Sequence, residues 1–167
     1  MKSVILVGMM GAGKSTVGQL LASRLGLPFG DTDSLIEKME EKSIADLFKI
    51  SESYFRQKEI SLLQNLIFQD PHVISTGGGM VAGEKNWERL SALGTTIYLK
   101  APSGVLFERA KGSGGRPLIF NFSQFSQLLL EREPFYNRSD FKIETDSLTP
   151  HEVCDRIIEV TDVLPKV

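Results

Sequence analysis

The sequence predicts an α/β domain in which helices cover both faces of a parallel β-sheet. Two observations lead to this fold class: short apolar or β-branched runs recur along the chain, and segments with apolar residues at helical spacing lie between them. Alternation of strands and helices is typical of parallel sheets, whose ligands collect at the carboxyl ends of the strands. The residues that follow the predicted strands are therefore the candidates for chemistry.

Five runs are predicted as strands, at residues 4–7, 28–29, 73–74, 95–99 and 141–143. After the first of them, Val17, Leu21 and Leu25 recur every fourth residue, which predicts an amphipathic helix. Another helix is predicted around Phe55 and Leu62, which lie two helical turns apart. Strand and helix thus alternate along the chain.

The composition is that of an ordinary globular protein, and we expect a single domain over residues 1–167. Hydrophobic residues make up 41% and charged residues 24%, close to the averages for soluble proteins. A net charge of -2 argues against a general nucleic-acid binder, which would need a basic face. The apolar runs are too short for a membrane span or a signal peptide. We expect a cytoplasmic monomer that binds neither nucleic acid nor membrane.

Residues 8–15 read Gly-Met-Met-Gly-Ala-Gly-Lys-Ser and lie between the first predicted strand and the first predicted helix. This is the phosphate-binding pattern GxxxxGK[ST], whose backbone N–H groups surround phosphate oxygens. Lys14 would contact the β- and γ-phosphates, and Ser15 would offer its hydroxyl to Mg²⁺. A glycine turn with an exposed lysine is the weaker alternative. The loop alone leaves open a small-molecule kinase, a GTPase switch and an ATPase motor.

Two carboxylates, Asp31 and Asp33, follow the second predicted strand. If this strand shares the carboxyl edge of the sheet with the first one, both carboxylates lie beside the phosphate loop. We assign Asp31 to the metal, through water, because Mg²⁺ keeps much of its hydration shell. We assign Asp33 to the acceptor hydroxyl. Asp33 could instead cap the next helix, but Ser34 with Glu37 forms a capping box and is the better candidate for the cap.

Arg56 and Arg132 are candidates for binding a carboxylate or a phosphate, although an arginine taken alone is more often a solvated surface residue. Guanidinium groups recognise carboxylates and phosphates with two parallel hydrogen bonds. Arg56 could instead pair with Glu59 one helical turn on. Arg132 lies near Pro134, which is expected to break or kink its helix. The glycines at 77–79 allow a ligand to approach the backbone, although a turn needed only for folding fits them equally well.

The segment at about 111–121 is rich in glycine and is predicted to be a mobile lid. It carries Arg116, which precedes Pro117 and is therefore expected on an extended backbone. Such an arginine could swing over a phosphate group.

Together these motifs resemble the shikimate kinase family. The matching segments, in the order of that family, are the phosphate loop at 8–18, Asp-Thr-Asp at 31–33, Phe-Arg-x-x-Glu at 55–59, Ser-Thr-Gly-Gly-Gly at 75–79, Arg-Pro-Leu at 116–118 and Arg-x-Pro-x-Tyr at 132–136. The likeness extends from residue 4 to about residue 158. It implies a three-layer αβα P-loop kinase fold with a five-stranded parallel sheet in the order 2-3-1-4-5. It also implies a substrate-binding segment at about 31–60.

The resemblance implies transfer of the γ-phosphoryl group of ATP to the 3-hydroxyl of shikimate, with Mg²⁺, in the biosynthesis of aromatic amino acids. The implied catalytic residues are Lys14, Asp33 and Arg116. The implied nucleotide contacts are Gly11, Ala12, Gly13, Lys14, Ser15, Thr16, Arg109, Arg116 and Pro150. Shikimate would contact Asp33, Arg56, Gly77, Gly78, Gly79 and Arg132, and Mg²⁺ would be held by Ser15 and Asp31.

Alternatives remain at this stage. A gluconate or nucleoside monophosphate kinase would share the phosphate chemistry, but Asp33 with Arg56 and Arg132 favours a compact carboxylate that bears vicinal hydroxyls. A GTP-dependent switch would need an Asn-Lys-x-Asp segment, which the sequence lacks. Asp33 either takes the proton of the acceptor hydroxyl or only aligns it. Pro150, which follows Thr149, is also typical of the first turn of a helix.

Overall fold

The computed structural model describes residues 2–66, 69–112 and 121–161, in which strands and helices alternate. The strands and helices are β1 Ser3–Val7, α1 Lys14–Leu25, β2 Phe29–Asp31, α2 Thr32–Glu40, α3 Ile44–Ile50, α4 Glu52–Asn65, β3 Val73–Ser75, α5 Glu84–Leu93, β4 Gly94–Lys100, α6 Ser103–Lys111, α7 Phe122–Tyr136, β5 Phe141–Glu144 and α8 Pro150–Thr161. The predicted α/β fold class is confirmed, and each predicted strand is present within one or two residues of its expected bounds.

The described strands form one parallel sheet in the order β2-β3-β1-β4-β5, which confirms the order implied by the family resemblance. β1 lies at the centre, and its residues are buried on both faces, as expected for a strand covered by helices on each side. β1 and β3 pair side by side, and β2 pairs with β3. The carboxyl ends of these three strands therefore meet at one edge.

Helix α1 begins directly after the phosphate loop because Gly13 takes a left-handed conformation with φ 86°. It ends at Gly26, another left-handed glycine, whose N–H donates to the carbonyls of Ala22 and Ser23. The predicted apolar stripe is buried, and α1 packs against β3 and α8. The N-terminal end of this helix therefore faces the carboxyl edge of the sheet.

The start of α2 differs from the sequence prediction. The helix begins at Thr32, and its cap is Asp31, whose carboxylate accepts a hydrogen bond from the Ser34 N–H at 3.1 Å. The prediction of Ser34 as the cap was wrong because β2 passes into α2 without an intervening loop, so Ser34 already lies in the first turn. Asp33 also lies in this turn and is not the cap.

Helix α7 continues through Pro134 to Tyr136, so the expected break at this proline does not occur. The proline lies two residues before the end of the helix, so it removes one backbone hydrogen bond and leaves only two residues of helix after it. The last turn still closes, because the Asn137 N–H donates to the carbonyl of Glu133 at 2.9 Å. Arg132 and Tyr136 therefore lie one turn apart on one helix, and both are buried.

The predicted lid falls almost entirely outside the described residues. α6 ends at Lys111, and Asn121 caps α7 through a 2.8 Å hydrogen bond from the Gln124 N–H. Arg116 and most of the segment 111–121 lie outside the described ranges. Within those ranges, no helix combines the length and apolar character needed to cross a membrane.

Two helical glycines offer a test of the packing between α1 and the sheet. A Cβ at Gly18 would lie 2.6 Å from Phe29 Cε2, whereas a Cβ at Gly104 on α6 would meet nothing within 4 Å. Gly104→Ala should raise the free energy of unfolding by about 0.5–1 kcal/mol, because alanine is the better helix former. Gly18→Ala should lower it by about 1 kcal/mol, because the added methyl overpacks the core. Urea unfolding of both variants measures this, and a gain in both would contradict the packing argument.

Candidate active site

The carboxyl edge of the sheet contains a cavity of about 310 Å³. The residues that line it include Lys14, Ser15, Asp31, Asp33, Thr76 and Arg109. They come from the phosphate loop, the junction of β2 and α2, the end of β3, and α6. The structure thus brings residues predicted for the nucleotide, the metal and the acceptor to one cavity.

The phosphate loop packs closely against its neighbours. Gly8 and Gly11 have φ angles of 149° and 82°, which other residues rarely adopt. A Cβ at Gly11 would also collide with the carbonyl of Leu106 on α6, and one at Gly8 would lie 2.7 Å from the carbonyl of Leu99. The loop needs glycine at both positions for conformation and for space.

Lys14 is almost fully buried, with 6% of its surface exposed. Its ammonium group donates to the carbonyls of Gly8 at 2.8 Å and Met9 at 3.0 Å, so the loop's own backbone surrounds it. The same loop directs the N-terminal end of α1 at the cavity, where backbone N–H groups favour an anion. Both features concentrate positive charge at this point of the cavity.

Ser15, Asp31 and Ser75 form an oxygen cluster beside the loop. The Ser15 hydroxyl donates to Asp31 Oδ2 at 2.6 Å and lies 3.3 Å from Ser75 Oγ. The described residues contain no group of three His, Cys, Asp or Glu side chains that would hold a metal by themselves. Hard oxygen donors together with phosphate oxygens and water suit Mg²⁺, so the cluster fits that ion. Ser75 was not assigned to the site from the sequence, although it begins the Ser-Thr-Gly-Gly-Gly motif.

The glycine turn at residues 77–79 brings the predicted acceptor residues together. A Cβ at Gly77 would lie 2.7 Å from Asp33 Oδ1, and one at Gly78 would lie 3.2 Å from Arg132 Nη1. A Cβ at Gly79 would overlap the guanidinium group of Arg56. Charged side chains from α2, α4 and α7 therefore contact the same three glycines.

Glu59 belongs to this cluster, although the sequence analysis gave it no role beyond a place in a family motif and a possible pairing with Arg56. It is 1% exposed, and its carboxylate accepts a 2.7 Å hydrogen bond from Arg56. Burial raises the pKa of Glu59 above its ordinary value, the attraction of Arg56 opposes that shift, and nearby Asp33 adds to it. The signal in the sequence was its position four residues after Phe55, on the stripe of α4 that is buried.

Arg56 and Arg132 carry their charges in different surroundings. Burial lowers the pKa of Arg56, but the attraction of Glu59 and Glu52 outweighs it and the net shift is upward. Burial also lowers the pKa of Arg132, and the nearby positive charge of Arg56 contributes to the decrease. Within the described residues, Arg132 has no carboxylate at ion-pair distance. An anionic ligand would offset this buried charge.

A smaller cavity of about 230 Å³ adjoins the first one. Its lining includes Ala12, Thr16, Arg109, Leu148 and Pro150. The Arg109 guanidinium lies 3.5 Å from the carbonyl of Thr145, between α6 and the segment that leads to α8. Arg109 and Thr16 line both cavities, so the two spaces are adjacent.

Pro150 begins a helix, as one of its two expected roles requires, and its expected contact with the nucleotide stays a prediction. It is the first residue of α8, and the capping box of Thr149 and Glu152 is present, with hydrogen bonds of 2.7 and 3.3 Å. It also lines the smaller cavity opposite the phosphate loop. A residue that starts a helix can thus face a ligand without a change in its local structure.

A phosphate loop at the edge of a parallel sheet, with a cluster of carboxylates and guanidinium groups beside it, defines a P-loop kinase that acts on a small acceptor molecule. The model of the shikimate kinase family matches residues 10–162. The chain belongs to the shikimate kinase family.

Individual relatives agree with this assignment. The chain is 40% identical over 160 residues to shikimate kinase from Persephonella marina, and the match covers 95% of this chain and 98% of that one. The structure of shikimate kinase from Acinetobacter baumannii in complex with shikimate has a TM-score of 0.91 at 32% identity, covering 96% of this chain and 92% of that one. A gluconokinase from Sinorhizobium meliloti has a TM-score of 0.62 at 17% identity, covering 95% and 94%, and shares the fold alone.

The contact between Gly79 and Arg56 can be tested by adding one methyl group. Gly79→Ala should displace the guanidinium group of Arg56, because the new Cβ would occupy its position. We expect the KM for the acidic substrate to rise about tenfold, the loss expected for one charged hydrogen bond, with an unchanged KM for ATP. Steady-state kinetics measure both constants, and Gly104→Ala serves as the control. An unchanged KM for the acid would contradict the close approach of Arg56.

Proposed function

We propose that this chain transfers the γ-phosphoryl group of ATP to the 3-hydroxyl of shikimate, giving shikimate 3-phosphate and ADP. The observation that supports this most directly is the convergence of Asp33, Arg56 and Arg132 on the glycine turn beside the phosphate loop. Two guanidinium groups suit a carboxylate, and a neighbouring carboxylate suits a hydroxyl. The related kinase from Acinetobacter baumannii, whose structure contains shikimate, supports the same acceptor.

Arg56 and Arg132 would bind the carboxylate of the acceptor. Both are largely buried, so their attraction for an anion is weakened little by water. Glu59 holds Arg56 through a 2.7 Å ion pair, and Arg132 carries the charge that an incoming carboxylate would balance. The acceptor would therefore bind in one orientation, with its hydroxyls directed to Asp33 and the phosphate loop.

Asp33 would accept a hydrogen bond from the reacting hydroxyl. Its carboxylate lies against Gly77 and lines the same cavity as Lys14, so a hydroxyl bound to it would face the loop. Phosphoryl transfer depends mainly on alignment and neutralisation of charge, and a carboxylate at this position can supply alignment and receive the proton.

The phosphate loop would hold the nucleotide through its backbone N–H groups, from Gly11 to Thr16, and through Lys14. The base would lie in the smaller cavity between Arg109 and Pro150, which the geometry of that cavity permits. Mg²⁺ would be held by the Ser15 hydroxyl and, through water, by Asp31, and when bound it neutralises charge on the phosphates. Arg116 lies outside the described residues and stays a prediction, as does its lid.

The remaining expectations concern the whole molecule. We propose that residues 1–167 act as one kinase domain, as a cytoplasmic monomer whose partner is the small acceptor and neither nucleic acid nor membrane. The net charge of -2 supports the lack of nucleic-acid binding.

The acceptor is tested by comparing shikimate with gluconate and with nucleoside monophosphates in a coupled assay of ADP release. We expect turnover with shikimate and a kcat/KM at least about 100-fold lower with the others, because they leave buried charged groups unpaired. Absence of turnover with shikimate by the wild-type protein would contradict the proposed acceptor.

Lys14→Ala should reduce turnover in the same assay by about 100-fold or more, since it removes a charge that faces the transferred group.

The two neighbouring carboxylates should give different kinetic defects. Asp31→Asn should raise the Mg²⁺ concentration needed for half-maximal activity while keeping the cap of α2, because asparagine is also a good cap. Asp33→Asn should lower kcat by about 100-fold or more, since it removes the group that aligns and deprotonates the hydroxyl. Titration of activity with Mg²⁺ separates the two variants. The same Mg²⁺ requirement in Asp31→Asn as in wild type would contradict the assignment of the metal.

A further inference from the structure

Tyr136 is fully buried and lies one helical turn after Arg132 on α7. Its hydroxyl donates a 2.5 Å hydrogen bond to the carbonyl of Gly78, the central residue of the glycine turn. Asp33, Arg56 and Arg132 pack against this turn. The hydroxyl therefore links the last turn of α7 to the backbone on which the acceptor site is built.

Met9 occupies the space between these groups. Its sulfur lies 3.7 Å from Arg132 Nη1 and 4.0 Å from the Tyr136 hydroxyl, and its side chain is fully buried. A Cβ at Gly78 would lie 3.2 Å from Arg132 Nη1 and 3.6 Å from the carbonyl of Gly8. The phosphate loop, the glycine turn and α7 thus meet at one point, and the guanidinium group of Arg132 lies within it.

Electrostatics alone would not hold Arg132 at this place. Arg56 carries a like charge at the same turn, and within the described residues Arg132 has no carboxylate at ion-pair distance. The attraction of Tyr136 and Glu59 offsets the effects of burial and of Arg56 on the pKa of Arg132 only in part, and its contact with Met9 is with a weak acceptor. Two positive groups can bind one carboxylate strongly only if their separation is fixed before the ligand arrives, because ordering them later costs affinity. Packing and hydrogen bonding of α7 must therefore supply the position of Arg132.

We propose that Tyr136 is a positioning residue, whose hydroxyl ties α7 to Gly78 and so sets the distance between Arg132 and the glycine turn. The inference rests on the proposed function, in which Arg132 binds the carboxylate of the acceptor. Tyr136 itself does not touch the acceptor in this arrangement, since its hydroxyl is occupied by the backbone carbonyl. Burial raises the pKa of Tyr136 to about 12, so the hydroxyl stays protonated and remains a donor at neutral pH.

Tyr98 provides a matched control. Its ring centre lies 5.1 Å from that of Tyr136, and it is equally buried, with 1% exposed. Its hydroxyl lies 3.5 Å from a carboxylate oxygen of Glu133 and, among the described residues, makes no hydrogen bond to the glycine turn, so it does not link α7 to that turn. Tyr98→Phe and Tyr136→Phe each remove one buried hydroxyl from the same aromatic pair and leave both rings in place.

The test compares the steady-state kinetics and melting temperatures of the two variants. Tyr136→Phe should raise the KM for shikimate roughly tenfold, with kcat and the KM for ATP changed less than about twofold, because only binding of the carboxylate is affected. Tyr98→Phe should keep the wild-type KM, although its melting temperature should fall by a similar amount. An unchanged KM in Tyr136→Phe, or an equal rise in both variants, would overturn the positioning role.

A double-mutant cycle with Arg132→Ala gives a readout that loss of stability cannot imitate. If Tyr136 acts through Arg132, the double variant Tyr136→Phe/Arg132→Ala should have the same KM for shikimate as the single variant Arg132→Ala. Independent, additive increases in KM would overturn the proposal.

A measurement without substrate distinguishes failure of the proposed function from failure of the positioning role of Tyr136. If the wild-type protein does not phosphorylate shikimate, the acceptor is wrong, but crystal structures of the wild type and of Tyr136→Phe still report the position of Arg132. A displaced guanidinium group in the variant supports the positioning role, and an unmoved one overturns it.

Discussion

Three consecutive glycines after β3 allow charged side chains from three helices to contact the backbone directly, and the proposed acceptor site depends on this close approach. A side chain on Gly77 or Gly79 would occupy the space of Asp33 or Arg56. The turn also receives the hydroxyl of Tyr136 through the carbonyl of Gly78. Space normally filled by side chains is thus filled by the groups that would bind the substrate.

Burial of these charges has a cost that the bound acceptor would reduce. Arg56 is balanced by Glu59, whereas the pKa of Arg132 is lowered because burial disfavours its charge. Replacing water around a guanidinium group without supplying an anion destabilises the folded protein, and a carboxylate ligand restores the balance. The charge distribution therefore favours a small acid over a neutral sugar or a base, although the phosphate loop beside it would serve any of these acceptors.

Much of the fold follows from local patterns in the sequence. The loop from Gly8 to Ser15 directly follows the buried run of β1 in the sequence. This order alone indicated that a nucleotide binds at the carboxyl edge of the sheet. Asp33, Arg56 and Arg132 were also predicted from the sequence, first from residue type and flanking residues and then as part of an ordered set that resembles a family. Their meeting at one turn could not be derived from spacing, because it depends on how α2, α4 and α7 pack around β3.

What the sequence missed has a common physical cause, since each feature is defined by a partner distant along the chain. Glu59 has the same spacing from Arg56 as any surface ion pair one helical turn apart. Only its burial, with 1% of its surface exposed, distinguishes it from a member of such a surface pair. Tyr136 matched a motif, yet its partner Gly78 lies 58 residues earlier. The fold persists at 17% identity, as the gluconokinase shows, so the fold by itself does not identify the acceptor.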